Sequence, residues 1–199
     1  VFLMLKAFYD VAGRENAERI TVEYYISNAL FIRAKGNFRL DRDLLRRAEE
    51  RMKSLSAQAV PIRKSSVNTD DAVDLFQKTQ MRDKARLLSF RINSHVNIYT
   101  LDGFSDYFYG YMVPDASYVK YFGLELFADG FILRLTDQKN PDQLGVFKPA
   151  IKVFQALHDA TQRSEALHTA NLAEMNDTIS GGNATQMILV HEAMMEKQI

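Results

Sequence analysis

Apolar positions along this chain follow a helical period at the start, then an alternating one, and return to a helical period in the last third. Val1, Met4, Leu5, Phe8 and Val11 share one face of a helix over 1–11, and Gly13 is its natural stop. Ile20, Val22, Tyr24 and Ile26 alternate with Thr21, Glu23 and Tyr25, which predicts a strand. Ser27-Asn28 supplies a turn, and 29–34 reads as the returning strand of a hairpin. Asp41 is placed to cap a helix whose apolar face is Leu44, Leu45, Ala48, Met52 and Leu55. Arg46, Arg47, Glu49, Glu50 and Arg51 form its solvated face, with an i,i+4 pair between Arg46 and Glu50.

Val60 to Val67 reads as an edge strand, because Pro61 has no N–H for a ladder. Arg63-Lys64 on that strand serves either to guard an open edge or to contact phosphate. Asn68 or Thr69 caps a short helix over 70–78, and 81–91 makes another. Val96, Ile98 and Thr100 begin a strand that runs into the densest aromatic tract, I-Y-T-L-D-G-F-S-D-Y-F-Y-G-Y-M-V-P over 98–114. Beyond the Pro114-Asp115 turn, 118–128 and 131–135 read as strands joined at Asp129-Gly130. The polar stretch 136–145, containing Asn140-Pro141, is the best domain boundary. A stripe of Phe147, Ile151, Phe154 and Leu157 opens the helical part, with Pro149 in its first turn. Helices over 167–179 and 185–199 follow, on either side of a Ser180-Gly181-Gly182-Asn183 turn. The fold class is α+β: an antiparallel sheet with packed helices over 1–136, and a small helical connector over 137–199.

Composition narrows the functional classes. The chain has 199 residues, 47% hydrophobic, with 25 basic and 25 acidic side chains, so no global charge attracts nucleic acid or an anionic membrane. The absence of cysteine excludes disulfides and thiolate zinc sites and agrees with a reducing cytoplasm. No apolar run approaches the roughly 18 residues of a membrane span. Val1 to Leu5 lacks the basic leader and cleavage site of a signal peptide. The chain begins in mid-pattern without Met and ends at Ile199 on a helical run, so it reads as a piece of a longer protein.

Catalytic signatures are missing. There is no G-x-x-x-x-G-K-[S/T] phosphate cradle, no G-x-S-x-G, no H-E-x-x-H and no C-x-x-C. His95, His158, His168 and His191 lie too far apart in sequence to form a helical metal pair. Asn176 and Asn183 head glycosylation-type triplets that carry no weight without a secretory signal. Asp102 and Asp106 remain. Two carboxylates in an aromatic loop are able to bind a cation or act as acid and base; alternatively, Asp102 sets a D-G turn and Asp106 caps a helical turn. Tyr107, Phe108, Tyr109 and Tyr111 are either core packing or a stacking platform.

Several motifs carry a resemblance. L-x-x-D-L-L-x-x-A-E-x-R-M-x-x-L over 40–55, P-I-x-K-x-x-V over 61–67 and D-A-x-x-L-F over 71–76 occur in this order before the aromatic tract. Together they resemble the second additional domain of threonyl-tRNA synthetases, an α/β unit related to the alanyl-tRNA synthetase editing domain. R-x-N-S-H-V-N-I-Y over 91–99 followed by L-D-G-F-S-D-Y-F-Y-G-Y-M-V-P looks more specifically like the N-terminal region of bacterial uridine-kinase-like nucleoside kinases. There a synthetase-like module precedes a P-loop kinase domain. N-D-T-I-S-G-G-N over 176–183 and V-H-E-A-M-M-E-K-Q-I over 190–199 resemble the connector.

The resemblance implies an editing site with an H-x-x-x-H pair on the first helix and a C-x-x-x-H pair in the loop. Aligned on Gly110 and Val113-Pro114, the loop pair falls at Phe108 and Met112, and the second helix histidine near Leu3. Phe cannot ligate zinc, and Met is a soft ligand at best. These are degenerate metal-site positions, and the old site is expected to be filled with aromatic packing. The implied function is a non-catalytic, ligand-binding or regulatory module, with no metal or cofactor of its own. It would be joined covalently to a kinase domain that uses ATP and magnesium, and a nucleotide or tRNA-like end would be its ligand. Candidate ligand-binding residues are Asp102, Asp106, Tyr107, Tyr109, Tyr111 and His95. The alternatives are a hydrolase of aminoacyl-tRNA or aminoacyl esters using Asp102, Asp106 and His95, and an assembly domain whose exposed face is the Phe147–Leu157 stripe.

Overall fold

The computed structural model describes residues 1–137 and 139–196. Helix α1 (Phe2–Ala12) forms on the expected apolar face and stops where Gly13 takes φ +82°, which side chains rarely adopt. One further turn, α2 (Arg14–Ala17), leads into β1 (Ile20–Ile26), which pairs with β2 (Ala29–Ala34) through a turn with Ser27 at φ +53°. The register of this pair slips between Val22 and Tyr24, so Glu23 is an extra, bulged residue. The four apolar residues of β1 therefore do not share one face, as plain alternation predicts. Ile20 and Val22 join the main core, whereas Tyr24 and Ile26 join a second cluster with Phe31 and Ile132.

Helix α3 (Arg42–Ala57) begins where the Asp41 carboxylate accepts the Leu44 N–H at 2.9 Å, and its five predicted apolar residues are all buried. It packs beside α1. Next come β3 (Ile62–Asn68), α4 (Thr69–Lys78), capped by the Asn68 side chain, and α5 (Arg82–Ser89). β4 (His95–Leu101) and β5 (Phe104–Tyr107) close with Asp102 at φ +46° and Gly103 at φ +77°. Positive φ at both central residues is the turn that matches strand twist, and Asp-Gly suits it.

The segment expected to start a strand at Tyr118 is instead a single 3₁₀ turn over Ala116–Tyr118, capped by the Asp115 carboxylate. β6 (Gly123–Phe127) starts later and turns through Ala128-Asp129, so Gly130 is the first residue of β7 (Gly130–Arg134) rather than part of the turn. The polar stretch that reads as a loop contains a small hairpin, β8 (Thr136–Asp137) with β9 (Asn140–Leu144); Gln138 lies outside the described residues. Pro149 precedes rather than opens α6 (Ile151–Ala166), and α7 (Leu172–Ser180) starts later than its apolar period suggests. α8 (Ala184–Glu196) follows, and residues 197–199 of its predicted run lie outside the described residues.

The strands form an antiparallel sheet in the order β1-β2-β7-β6 and a second in the order β3-β4-β5. α1 and α3 cover one face of the first, where Phe8 meets Phe131 at 5.3 Å between ring centres. Phe147 and Phe154 cover the other face, with Phe154 edge-on to Phe31 at 5.0 Å and to Phe127 at 4.9 Å. Two residues of the apolar stripe, Phe147 and Phe154, are thus half-buried against the sheet, and no residue of α6 is fully buried. Only Ile151 among the four stripe residues is strongly exposed.

At Gly130 an added Cβ would lie 2.2 Å from the Ile32 carbonyl oxygen, a backbone atom with no freedom to retreat. Gly130→Ala should destabilise the fold by about 2–4 kcal/mol in urea titration. A change below about 0.5 kcal/mol contradicts the close approach of β7 to β2.

Candidate functional site

β1 is the edge of the four-stranded sheet and β5 the edge of the three-stranded one. A cleft of about 1120 Å³ is lined by both edges, with α1, α2, α5 and α6 contributing the remaining walls. That is at the upper end of small-molecule sites.

Asp106 of β5 lines this cleft with 0% of its surface exposed. Lys84 of α5 donates to Oδ1, and the Tyr107 N–H donates to the same oxygen at 2.6 Å. Oδ2 has no protein partner. Burial pushes this carboxyl above the ordinary aspartate range; Lys84 and the Tyr107 amide pull it back, and Asp83 pushes it further up. Glu18, just after α2, lines the same cleft. Its Oε1 is buried and unpartnered, and burial again raises its pKa, with Arg14 opposing and Asp83 and Glu15 reinforcing. On the opposing strand edge the Tyr24 hydroxyl is also buried without a partner, and burial, then the charge of Glu23, pushes its pKa up to about 12. Among the described residues, three of the five buried side-chain atoms without a hydrogen bond therefore belong to residues that line one cleft.

An aromatic wall adjoins these groups. Phe104 packs on Phe2 at 5.7 Å and on Tyr9 at 5.3 Å, and Phe108 meets Phe2 at 5.2 Å. Phe108 is half-buried, packs on Phe2 and the main core, and lines one wall of the cleft. Rings build one wall, and the space beside them is open. Met112 packs against the main core and does not line the cleft.

The sequence-derived candidates separate in space. Asp106, Tyr107 and Phe108 line the cleft. Asp102 does not. Its carbonyl accepts from the buried Lys6 ammonium at 2.7 Å, and its carboxylate pairs with Lys6 at 3.4 Å and Arg51 at 3.2 Å. Asp106 lies within β5 and caps no helical turn. His95 is exposed beside Ser94, its Nδ1 3.0 Å from the serine hydroxyl. Tyr109 and Tyr111 are 92% and 93% exposed, so they are not core. The trio required for hydrolysis is thus dispersed. Among the described residues no group of three or more His, Asp or Glu side chains is arranged to hold a metal ion.

Glu18, Tyr24 and Lys84 were invisible as site residues in the sequence. Tyr24 reads in the sequence as one more member of an alternating strand, and no motif includes Glu18 or Lys84. Only the bulge at Glu23 and the approach of α5 to β5 bring them together. No protein-family model matches this sequence, and a search of the curated proteins returned no match.

The raised carboxyls fix a pH dependence. A carboxyl whose folded pKa lies above its unfolded value stabilises the fold fully below the ordinary range near pH 4, and that contribution is lost as pH rises through the folded value. The Tm of the natural protein minus that of Asp106→Asn should therefore fall as pH is raised from about 4 to 7. A difference that grows with pH would contradict the assigned burial of Asp106.

Proposed function

We propose that this chain is a non-catalytic, ligand-binding module of a uridine-kinase-like nucleoside kinase, and that its cleft takes up a nucleoside. One observation carries the reading: Asp106 Oδ2, Glu18 Oε1 and the Tyr24 hydroxyl are all buried and unpaired, and all three belong to residues lining one cleft. Unpaired buried acceptors cost roughly 1–3 kcal/mol each, which a ligand rich in hydrogen-bond donors returns on binding. Ribose hydroxyls and base amino groups supply such donors, while Phe104, Phe108 and Tyr9 offer apolar surface to a base.

The synthetase-like reading draws support from the contact of Phe108 with Phe2. The loop position matching the first member of the family's C-x-x-x-H pair lies against the start of the helix that carries the family's H-x-x-x-H pair. With apolar side chains at those positions, metal- or water-dependent deacylation has no apparatus here, and dispersal of Asp102, Asp106 and His95 disfavours the hydrolase reading. Phosphoryl transfer, with ATP and magnesium, belongs to the attached kinase domain in the cytoplasmic parent. Among the described residues no helix is long and apolar enough to cross a membrane.

Isothermal titration of the isolated chain with uridine, cytidine and adenosine tests this. At least one should bind, and Asp106→Asn should weaken it by about 10- to 100-fold, as expected for loss of a carboxyl oxygen that accepts from the ligand. Aminoacyl esters should hydrolyse no faster than in buffer. Absence of nucleoside binding at millimolar concentration, or binding indifferent to Asp106→Asn, contradicts the reading.

A further inference from the structure

Asp106 sits between two phenylalanines on one side of β5. The β4–β5 register runs without a slip from Leu101 with Phe104 to Ile98 with Tyr107. Phe104 and Asp106 therefore leave the strand on the same side, and Ser105 and Tyr107 on the other. Phe108, the next residue after the strand, returns to the first side: its ring meets Phe2 at 5.2 Å, as that of Phe104 does at 5.7 Å. Phe104, Asp106 and Phe108 all line the cleft, and Ser105 does not. Neighbours on one side of a strand lie about 7 Å apart. A flat ring laid against Phe108 thus brings its edge to the Asp106 carboxyl.

The two oxygens of that carboxyl are not equivalent. Oδ1 accepts from the Lys84 ammonium and from the Tyr107 N–H at 2.6 Å, while Oδ2 has no partner among the described residues. Two donors on one oxygen fix the orientation of the group, and the ionised oxygen left over accepts but cannot donate. Base edges differ in what they offer to such an oxygen. Cytosine and adenine present an exocyclic amino group, a donor. Uracil and hypoxanthine present a carbonyl oxygen at the same place, which leaves the acceptor unmatched and sets two lone pairs against each other. Burial sharpens the contrast, because an unmatched acceptor away from water is costly.

We infer that Asp106 is the residue by which the cleft selects its base, favouring bases that carry an exocyclic amino group over those with an oxo group at the same position. This selection presupposes the nucleoside reading of the cleft and narrows it. The base stacks on Phe108, its amino group donates to Oδ2, and uracil is disfavoured although it has the same outline as cytosine. Lys84 acts through Asp106, as a positioning residue: it occupies Oδ1 and leaves Oδ2 as the free acceptor.

Isothermal titration at about pH 8 with two matched pairs, cytidine against uridine and adenosine against inosine, tests the inference. Members of a pair share their outline and differ at the amino-or-oxo edge. In any pair that binds, the amino member should bind about 10- to 100-fold more tightly. Asp106→Asn should erase or reverse that ratio. The amide oxygen stays with Lys84 and the Tyr107 N–H, so the amide NH2 takes the place of Oδ2 and donates where the carboxylate accepted. The amino member then loses affinity and the oxo member gains it. A merely structural role of Asp106 predicts no such crossing, since a damaged cleft weakens both members together. The matched pairs on the natural chain remain a test even where the variant does not fold. An oxo member that binds as tightly as its amino counterpart overturns the inference while leaving the nucleoside reading in place. So does a ratio that Asp106→Asn leaves unchanged. Binding by none of the four contradicts the nucleoside reading itself, and the selection falls with it.

Discussion

A carboxylate removed from water with only one of its oxygens engaged is the constraint around which this molecule is arranged. Asp106 retains Lys84 and one backbone N–H on Oδ1 and nothing on Oδ2. A buried ion pair recovers its desolvation cost only with good geometry and full hydrogen bonding. Here the bonding is incomplete, and the deficit is repeated at Glu18 and Tyr24 across the same space. Lys84 ties α5 to β5 through this one ion pair. The bulge at Glu23 explains how Tyr24 leaves the main core, and Glu23 itself then pairs with Arg33 at 3.1 Å.

The frame that supports this deficit is well satisfied. α1 is buried along most of its length, and Lys6, Asp10, Arg51 and Asp102 join it to α3 and to the β4–β5 turn. Asp102 thus has a structural role, fixing the turn from which β5 descends to Asp106. The four-stranded sheet is packed on both faces, by α1 and α3 on one side and by Phe147 and Phe154 on the other. A rigid surround lets buried polar groups persist unpaired, because relaxation towards water or towards one another would disrupt packed aromatic contacts.

Local chemistry made much of the frame legible in the sequence. The Asp41 cap, the α3 stripe, both strands of the first hairpin and the Asp102-Gly103 turn follow from short-range rules, and the structure has them where those rules put them. Errors arose where tertiary contact overrides local pattern. Gly130 looked like a turn residue, but it is glycine because the Ile32 carbonyl leaves no room for a Cβ. Tyr118 looked like the start of a strand, yet Asp115 turns the chain there. The site was harder to see than the fold. Asp106 is identifiable by residue type, whereas its partner Lys84 lies 22 residues away on a short helix, and the other cleft residues come from a bulged strand and the residue after a single-turn helix. Their significance lies in what they lack, which no sequence pattern encodes.

The result is a cleft between sheet edges whose lining residues carry unpaired buried acceptors. Carboxyl-carbon NMR of Asp106 and Glu18 through a pH titration tests it most directly, because it reports each group's protonation and surroundings. Both should titrate above the ordinary aspartate and glutamate ranges, and both should shift when a saturating nucleoside is added. Ordinary titration of both, unmoved by any nucleoside, would mean that water already satisfies them and that the cleft is not a binding site.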